Sequence, residues 1–403
     1  MNFLRPIYCF CAASLLAIST SAARRVVVQA EPMDRAGVVV TLKATAAWSG
    51  FTRLRDAHGN QVVWQRGSDG RVQFVLARAA AGDAPEFTLE PGGSEAADAA
   101  AAVRVVKTDT RLRLSVEGED VFDYWMAEEP FPRSGMSPLY ARSGFIHPLR
   151  TPSGAVVTSS YPADHLHHHG IWAPWTKTRF QGRAPDFWNM GQGTGKVEFA
   201  SLDRTWNGAV QGGFVVRQRF IDLSAPTPVV ALNETWEVTV YHVVGAERPV
   251  RMFDLVTTQT TATEDALELP EYRYGGLGVR GPEAWLGADR AHFLTSEGET
   301  DRVKGNATRV RWYHMGGLVA GALAGTAVLD HPENFRAPQP LRIHPKEPYA
   351  CLAPSQLGDW AIEPGRPYVA RYRFVVADGA PDAALLEAYW QGYAHPGEAR
   401  LID

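Results

Sequence analysis

Short runs in which polar and apolar residues alternate dominate this chain, and glycine, proline, aspartate or asparagine separate them. The segments RLRLSVEG at 111–118 and YVARYRFVVAD at 368–378 are typical. Neighbouring side chains of a strand point to opposite faces, so this period of two predicts antiparallel sheets with one face on the core and one in solvent. The glycine-rich segment at 316–329 predicts a pair of strands, and only DAALLEAYWQGYA at 382–394 has the pattern of an amphipathic helix. The chain is therefore predicted to be all-β, a large antiparallel β-sandwich with a C-terminal helix.

The first residues have the layout of a secretory signal peptide. One early charge, Arg5, precedes an apolar run of about a dozen residues and a stretch of small residues that ends at Ala23. The apolar run is too short to cross a bilayer, and no longer one follows it in the sequence. We therefore expect residues 1–23 to be removed and the mature protein to be periplasmic or secreted, without a membrane span.

A change in composition divides the rest of the chain. The segment at 79–102 is rich in alanine, glycine, proline and glutamate, so it buries little apolar surface and suits an exposed connection. We predict a small N-terminal β module at 24–98 and the β-sandwich domain at 102–403.

Charge and cysteine content narrow the class of protein. The net charge is −4 and the pI is near 6.3, which leaves no polybasic surface for a nucleic-acid partner. Two of the three cysteines lie in the predicted signal peptide, so Cys351 has no partner for an internal disulfide. The fold is therefore expected to depend on its hydrophobic core.

The stretch YPADHLHHHGIWAPW at 161–175 places four of the twelve histidines within five residues. Two imidazoles at i and i+2 can reach one ion, so His165 and His167 are candidate metal ligands, and a divalent or transition metal is the candidate cofactor. Spacing alone identifies no third ligand, and the candidates are His147, Asp186, Glu198 and His331.

Proton transfer is an alternative use of this cluster. In this hypothesis His167 and His168 are the catalytic acid and base, and Asp164 fixes the tautomer of one of them. In an extended segment Asp164 and His168 would share one face, and His165, His167 and His169 the other. A third interpretation is a structural turn whose polar side chains satisfy backbone groups.

Aromatic and planar polar residues follow the cluster and favour a sugar ligand. Flat rings beside hydrogen-bonding groups suit a ligand that is apolar on one side and rich in hydroxyls at its edge. Trp172 and Trp188 are the candidate stacking surfaces, although each is equally compatible with the sandwich core. Further candidates for binding hydroxyl, keto or carboxylate groups, two of them in the loop at 330–338, are Arg142, His147, Arg150, Arg280, His331 and Asn334.

Several blocks of the chain resemble a known bacterial family. The block YARSGFIHPLRTPSGAVVTSSYPADHLHHHGIW is followed by DFW, GGLGVR, DHPENFRAP and a closing RYRFVVADG. Over about 120 to 395 the chain is similar to the family commonly labelled methane oxygenase PmoA, and the preceding β module also resembles that family's N-terminal part. His169 departs from the pattern, in which arginine is expected. The resemblance implies a secreted or periplasmic β-sandwich, similar to mutarotase-like supersandwiches and associated with carbohydrate degradation; it carries over no catalytic residue.

Three functions are open on these observations. The first is a carbohydrate-active enzyme that acts on a sugar or an oxidised sugar derivative by hydrolysis, elimination or epimerisation, with acid/base chemistry at the histidine cluster. The second is a copper-type or other metal-dependent oxidoreductase, as the label of the similar family suggests. The third is a non-catalytic sugar-binding protein. The density of titratable groups favours an enzyme, and a small sugar is the expected partner in the first and third cases.

Overall fold

The computed structural model describes residues 23–43, 51–67, 70–91 and 101–402. Regular structure in these residues is mostly β-strand, which confirms the predicted all-β class. The predicted signal peptide lies outside the described residues except for Ala23. Neither of the two described α-helices has the length and apolar character that a membrane crossing requires.

Short strands make up the N-terminal part of the described chain. Those before residue 92 are β1 (Arg24–Val28), β2 (Arg35–Lys43), β3 (Phe51–Asp56), β4 (Gln61–Val62), β5 (Gln65–Arg66), β6 (Arg71–Ala79) and β7 (Glu86–Pro91).

Longer strands follow from residue 101 onward. They are β8 (Val103–Lys107), β9 (Arg111–Val116), β10 (Glu119–Trp125), β11 (Phe145–Leu149), β12 (Ile171–Trp172), β13 (Gly195–Trp206), β14 (Gln211–Asp222), β15 (Val229–Tyr241), β16 (Arg251–Thr261), β17 (Leu267–Leu269), β18 (Leu277–Arg280), β19 (Ala291–Thr295), β20 (Trp312–Val319), β21 (Ala322–Asp330), β22 (Leu341–Ile343), β23 (Tyr349–Leu352), β24 (Trp360–Ile362), β25 (Tyr368–Asp378) and β26 (Gly397–Ile402). The helices are α1 (Arg302–Gly305) and α2 (Ala383–Ala394), and single 3₁₀ turns span Pro138–Tyr140, Met190–Gln192, Glu283–Trp285 and Pro354–Leu357.

Two eight-stranded antiparallel sheets form the sandwich. One has the order β22-β23-β18-β12-β11-β10-β9-β8, and the other has the order β13-β14-β15-β16-β25-β21-β20-β19. The alternation in β9 buries Leu112 and Leu114 in a core that residues of both sheets share. Rings meet across this core, as where Phe122 of β10 and Phe253 of β16 lie with centroids 5.0 Å apart. The predicted antiparallel β-sandwich is therefore confirmed.

The glycine-rich segment at 316–329 forms the predicted strand pair. Strands β20 and β21 pair from Trp312 with Leu329 to Val319 with Ala322. Ala320 and Gly321 connect them with φ values of 49° and 86°. Two consecutive positive φ values are those of the two-residue hairpin turn that matches the twist of the flanking strands.

The N-terminal strands form a third sheet with a hydrophobic core of its own. Its order is β4-β3-β7-β1-β26-β2-β6-β5, and Val28, Val40 and Leu89 are among its buried core residues. The last strand of the chain, β26, lies antiparallel to β1 and parallel to β2. The division near residues 98–102 stays a prediction, and the topology adds that the C-terminal strand pairs with the N-terminal sheet.

Helix α2 confirms the predicted C-terminal helix. Asp382 caps it by accepting a hydrogen bond from the amide of Leu385 (3.0 Å). Its buried face includes Leu386, which packs in one cluster with Ala36 of β2 and residues of β16 and β25. A Cβ at Gly392 would lie 2.2 Å from the carbonyl oxygen of Ala36, so glycine permits the close approach of helix and strand. The helix is thus held between the N-terminal sheet and the sandwich.

Strand pairing in the first sandwich sheet brings distant loops to one edge. Ile171 pairs with Val279, and Arg280 pairs with Tyr349. Because β12 and β23 both run antiparallel to β18, the segments that precede β12 and β23 meet at the end of β18. This edge holds the histidine cluster.

Candidate active-site cleft

The histidine cluster folds as two consecutive turns and not as a strand. The amide of His165 donates to the carbonyl of Pro162 (3.1 Å), and the amide of His168 donates to the carbonyl of His165 (2.9 Å). Residues three apart therefore lie on the same side, and the rings of His165 and His168 stack with centroids 4.8 Å apart. The prediction that His168 faces away from His165 is wrong, because it assumed an extended backbone.

Gly170 fastens these turns to the sheet. A Cβ there would lie 2.1 Å from the carbonyl oxygen of Ile146, so glycine allows the backbone to approach β11 closely. The carbonyl of Gly170 accepts a hydrogen bond from the amide of Arg280 (2.8 Å), and the amide of Ser159 donates to the carbonyl of Arg280 (2.9 Å). The cluster is therefore carried by a rigid element of the sandwich and not by a free loop.

The side chain of Arg280, at the end of β18, is fully buried. Its Nη2 donates to both carboxylate oxygens of Asp164 (2.7 and 2.9 Å), and its Nη1 lies 3.5 Å from Oε2 of Glu347. Nη1 also lies 3.3 Å from Nδ1 of His168. A guanidinium can only donate, so this Nδ1 accepts and the proton of the neutral ring lies on Nε2. One buried cation thus positions two carboxylates and one imidazole.

Two further imidazoles contact Glu347. Nδ1 of His165 is 3.2 Å from Oδ2 of Asp164 and 3.3 Å from Oε2 of Glu347. Nε2 of His344 is 3.5 Å from Oε1 of the same glutamate. Nδ1 of His344 accepts from the amides of Lys346 (3.3 Å) and Glu347 (3.1 Å), so its neutral ring carries the proton on Nε2, towards the carboxylate.

Burial and charge set the protonation of the two carboxylates. Burial by itself would raise the pKa of Asp164, but the hydrogen bonds and the charge of Arg280 together outweigh it and lower that pKa, so Asp164 is ionised at neutral pH. Burial raises the pKa of Glu347 above its usual value, although the charges of His165 and Arg280 oppose the shift.

Burial keeps three imidazoles at this place neutral. Burial, assisted by the charges of His165 and Arg280, lowers the pKa of His167 to about 4. Burial and the neighbouring charges lower the pKa of His168 well below its usual value. Burial, with the charge of Arg342, lowers the pKa of His344 to about 4. At pH 7 these three rings are therefore uncharged.

A cleft of about 150 Å³ opens at this point. Its lining combines imidazole, guanidinium and aromatic groups, and consists of His165, His167, His168, Trp188, Asn189, Arg273, Tyr274, Arg342, His344, Glu347 and Tyr349. The ring of His167 packs at 4.7 Å from that of His168 and at 5.4 Å from that of His165. Its nitrogens make no hydrogen bond within the described part of the chain, which leaves them available to a ligand.

The segment that follows the histidine turns contributes a further polar side chain, Asn189, to the cleft. Asp186 accepts hydrogen bonds from the amides of Trp188 (2.9 Å) and Asn189 (2.8 Å). Nδ2 of Asn189 donates to Asp186 (2.7 Å) and to the hydroxyl of Tyr274 (3.1 Å). The amide of Asn189 and the phenol of Tyr274 are therefore oriented before any ligand binds.

A known protein family matches the greater part of the chain. The family described as a family of unknown function, DUF6807, matches residues 111–391. The chain belongs to this family. The matched range agrees with the extent of the resemblance noted in the sequence, but the description of DUF6807 names no activity and no methane oxygenase. No curated protein matches the chain.

Solved structures show low similarity to this DUF6807 protein. An alpha-mannosidase from Enterococcus faecalis V583 is similar with a TM-score of 0.46 and 12% identity, over 94% of this chain and 46% of that one. A glycosyl hydrolase family 38 protein from Enterococcus faecalis is similar with a TM-score of 0.43 and 10% identity, over 94% of this chain and 47% of that one. The chain thus spans about half the length of these structures, and similarity at this level carries no argument about activity.

The DUF6807 cleft includes part of the predicted site. His165, His167, His168 and Trp188 line it, and Asp164 and Arg280 contact these lining residues through the bonds described above. Trp172 lies behind Trp188, with ring centroids 4.8 Å apart, and is fully buried. Trp188 is itself 1% exposed, so neither indole offers a free stacking face to a ligand.

The other predicted ligand contacts lie outside this cleft. Arg142 is buried, with Nη1 3.6 Å from Sδ of Met190, and Nη1 of Arg150 is buried without a hydrogen bond to a described residue. The side chains of the remaining three contact other parts of the protein. Nδ1 of His147 lies 2.9 Å from Oγ1 of Thr158, the ring of His331 packs on Tyr393 of α2, and Asn334 donates to Asp330 and to the carbonyl of Arg371. The loop at 330–338 therefore does not join the histidine cluster, because it is held against β25 and α2.

Sequence reasoning missed the loop that completes the cleft. His344 and Glu347 stand in IHPKEPY at 343–349, and Arg342 precedes them. A histidine and a glutamate three residues apart, each followed by a proline, were a usable signal for a constrained polar loop. Their distance from the histidine cluster in sequence concealed the contact, which depends on the pairing of β18 with β23.

A metal-ligating group is present in the same place. Donor atoms of His165, His168 and Glu347 lie within 4.8 Å of one another. Imidazole and carboxylate ligands suit zinc and related metals, and Oε2 of Glu347 is buried without a hydrogen bond from a described residue, so the donor set fits a cation. The set replaces the predicted His167 by His168 and uses none of the predicted third ligands. The guanidinium of Arg280, close to two of the three donors, opposes a cation electrostatically.

A larger groove lies along the edge strand β19. It encloses about 750 Å³, and more apolar than polar surface lines it. Two of its charged residues are already occupied, since Asp301 caps α1 and Arg302 donates to the carbonyls of Gly287 and Ala291. The smaller cleft has the denser set of oriented polar groups and is therefore the candidate site.

We expect Arg280 to dominate the stability of the site. Arg280→Gln leaves the carboxylates of Asp164 and Glu347 without their buried cation and is expected to lower the free energy of unfolding by about 3–5 kcal/mol. The control is Arg366→Gln, because Arg366 is 81% exposed and its ion pair with Glu363 is expected to contribute less than about 1 kcal/mol. Urea denaturation measures both variants. Equal losses would contradict a special role for Arg280.

Buried histidines predict how stability depends on pH. Burial lowers the pKa of His147 to about 4 and that of His314 to about 3, whereas an imidazole in an unfolded chain titrates near 6.5. Below pH 6.5 the unfolded chain binds protons that the folded protein does not bind. Stability is therefore present at pH 7 and falls as the pH falls from about 6.5 towards 4, by up to about 1.4 kcal/mol per pH unit for each group.

The measurement is Tm between pH 7.5 and pH 5. We expect His147→Gln to flatten the decline of Tm, and we expect the same change at the exposed His292 to leave it as in the wild type. A wild-type Tm that does not fall over this range would be evidence against the buried, neutral imidazoles.

Proposed function

We propose that the protein is an exported carbohydrate-active enzyme that acts on one sugar unit by acid/base chemistry in the histidine cleft. A volume of about 150 Å³ suits one sugar ring, either a monosaccharide or the terminal unit of an oligosaccharide. The oriented amide of Asn189 and phenol of Tyr274 suit the hydroxyl edge of a sugar. Export rests on the signal-peptide pattern of residues 1–23.

His167 is the group we assign to proton transfer, and this assignment carries the proposal. Its neighbours are occupied, since His168 accepts from Arg280 and His165 lies between Asp164 and Glu347. His167 lines the cleft without a hydrogen bond to any described residue, and burial keeps its pKa near 4. It therefore presents a neutral imidazole, the form that accepts a proton at pH 7.

We assign the aromatic contact with the sugar to Tyr274 and not to the predicted Trp172 and Trp188. Its ring is half-buried and lines the cleft, and it packs at 5.4 Å from the ring of Trp188. Trp188 then supports the tyrosine from behind. A half-exposed phenol can offer both an apolar face and a hydrogen bond to the same sugar ring.

The test is His167→Gln, assayed on a panel of neutral and acidic oligosaccharides with products identified by mass spectrometry. Loss of a positioned acid/base group is expected to reduce turnover by about 100-fold or more. Tm is expected to change little, because the side chain makes no hydrogen bond to the described residues. The matched control is His331→Gln, which changes the same residue type outside the cleft and is expected to retain activity.

Two results would count against this role. Unchanged turnover in His167→Gln would exclude proton transfer by this ring, and a fall in Tm that matches the fall in activity would indicate a structural turn. A wild-type protein that binds sugars and releases no product would be a sugar-binding protein.

Metal-dependent chemistry is the second candidate, and the donor set of His165, His168 and Glu347 favours it. A metal held there would supply Lewis-acid or redox chemistry, as the oxidoreductase label of the similar family suggests. In this case Asp164 would hold the ring of His165 through the contact at 3.2 Å, as the second contact of a metal-bound imidazole commonly does.

Elemental analysis of the exported protein tests this candidate. We expect a stoichiometric metal in the wild type and in His167→Gln, and its loss in His165→Ala/His168→Ala, if the three donors bind it. The same metal content in all three proteins would eliminate this site.

A further inference from the structure

The lining of the cleft includes two guanidinium groups beside its histidines and its one glutamate. Arg273 and Arg342 both line the cleft. Neither makes an ion pair with a residue that the structure describes. The guanidinium of Arg273 lies over the ring of Tyr274, 5.6 Å from its centroid. The Arg342 side chain donates to Oδ1 of Asn306 (3.0 Å), a neutral group.

The acidic group of the cleft lining is already engaged. Glu347 lies 3.5 Å from Nη1 of Arg280 and 3.3 Å from Nδ1 of His165 through one oxygen, and 3.5 Å from Nε2 of His344 through the other. Arg280 in turn is paired with Asp164 beneath the cleft. Glu347 therefore forms its ion pairs with other groups, and neither Arg273 nor Arg342 forms an ion pair with a carboxylate of the described residues.

Arg342 is held in place before a ligand arrives. Oδ1 of Asn306 accepts from the Arg342 side chain and from the backbone amide of Ile343 (3.1 Å), so one amide oxygen fixes both the strand β22 and its arginine. Nε of Arg342 is buried and makes no hydrogen bond to a described residue. A pre-oriented guanidinium loses little conformational entropy when an anion binds, and its planar fork matches a carboxylate.

We propose that the ligand is an acidic monosaccharide, or an acidic sugar at the end of a chain, whose carboxylate is bound by Arg342 and Arg273. This inference rests on the proposed function, because it names the substrate class of the same cleft. The carboxylate lies at the arginine side, and the ring hydroxyls face Asn189, Tyr274 and His167.

Isothermal titration tests the proposal with matched pairs of sugars. The probes are glucuronate with glucose, galacturonate with galactose and mannuronate with mannose, with acetate as a simple anion. We expect at least one acid to bind about ten-fold or more tightly than its neutral parent, the effect of one charge-assisted hydrogen bond, and acetate to bind much more weakly. The advantage of the acid is expected to shrink as salt is raised.

Arg342→Gln, and Arg342→Gln combined with Arg273→Gln, are expected to remove the preference for the acid, so that each acid binds no more tightly than its neutral parent. Arg366→Gln is the control, because it removes an exposed guanidinium elsewhere. The neutral parent binding as tightly as the acid, or a preference that survives in the double variant, overturns this inference and leaves the proposed function standing. Acetate binding as tightly as the acids also overturns it. No binding of either class of sugar overturns both proposals.

Discussion

The structure around the cleft depends on one buried cation. Arg280 has no contact with solvent, so its charge has to be balanced where it lies. The carboxylates of Asp164 and Glu347 supply the balance, and they come from the histidine turns and from the loop before β23, which are far apart in sequence. Pairing them with one guanidinium joins the two loops across β18. His168 and His165 are positioned by these same groups.

The histidines around Arg280 have different hydrogen-bond partners. His168 accepts a hydrogen bond from Arg280, which fixes its tautomer and occupies one nitrogen. His165 lies between two carboxylates, and His344 directs its Nε2 proton towards Glu347. His167 is left without such a partner and is kept neutral by burial. Four residues of one type thus divide into three with polar partners and one, His167, that has no hydrogen bond to a described residue, because their surroundings differ.

The two candidate functions make opposite demands on charge. A metal ion needs the donors of His165, His168 and Glu347 to outweigh the nearby Arg280. An anionic sugar is instead attracted by the two unpaired guanidiniums of Arg273 and Arg342. The charge balance of the cleft is therefore the property that separates these functions.

The spacing of apolar residues was sufficient to predict the strands, the hairpin at 316–329 and helix α2. A period of two or of 3.6 residues involves only residues that are close together along the chain. The sequence also marked the histidine cluster, Trp188 and Arg280 as functional candidates. It did not reveal the turn geometry that stacks His165 on His168, or the burial that removes Trp172 and Arg142 from contact with a ligand. It did not reveal Glu347 and His344, since their approach depends on the pairing of Arg280 with Tyr349. Residue types and their local pattern are written in the sequence, whereas their protonation and grouping are set by contacts between segments that only the folded sheet brings together.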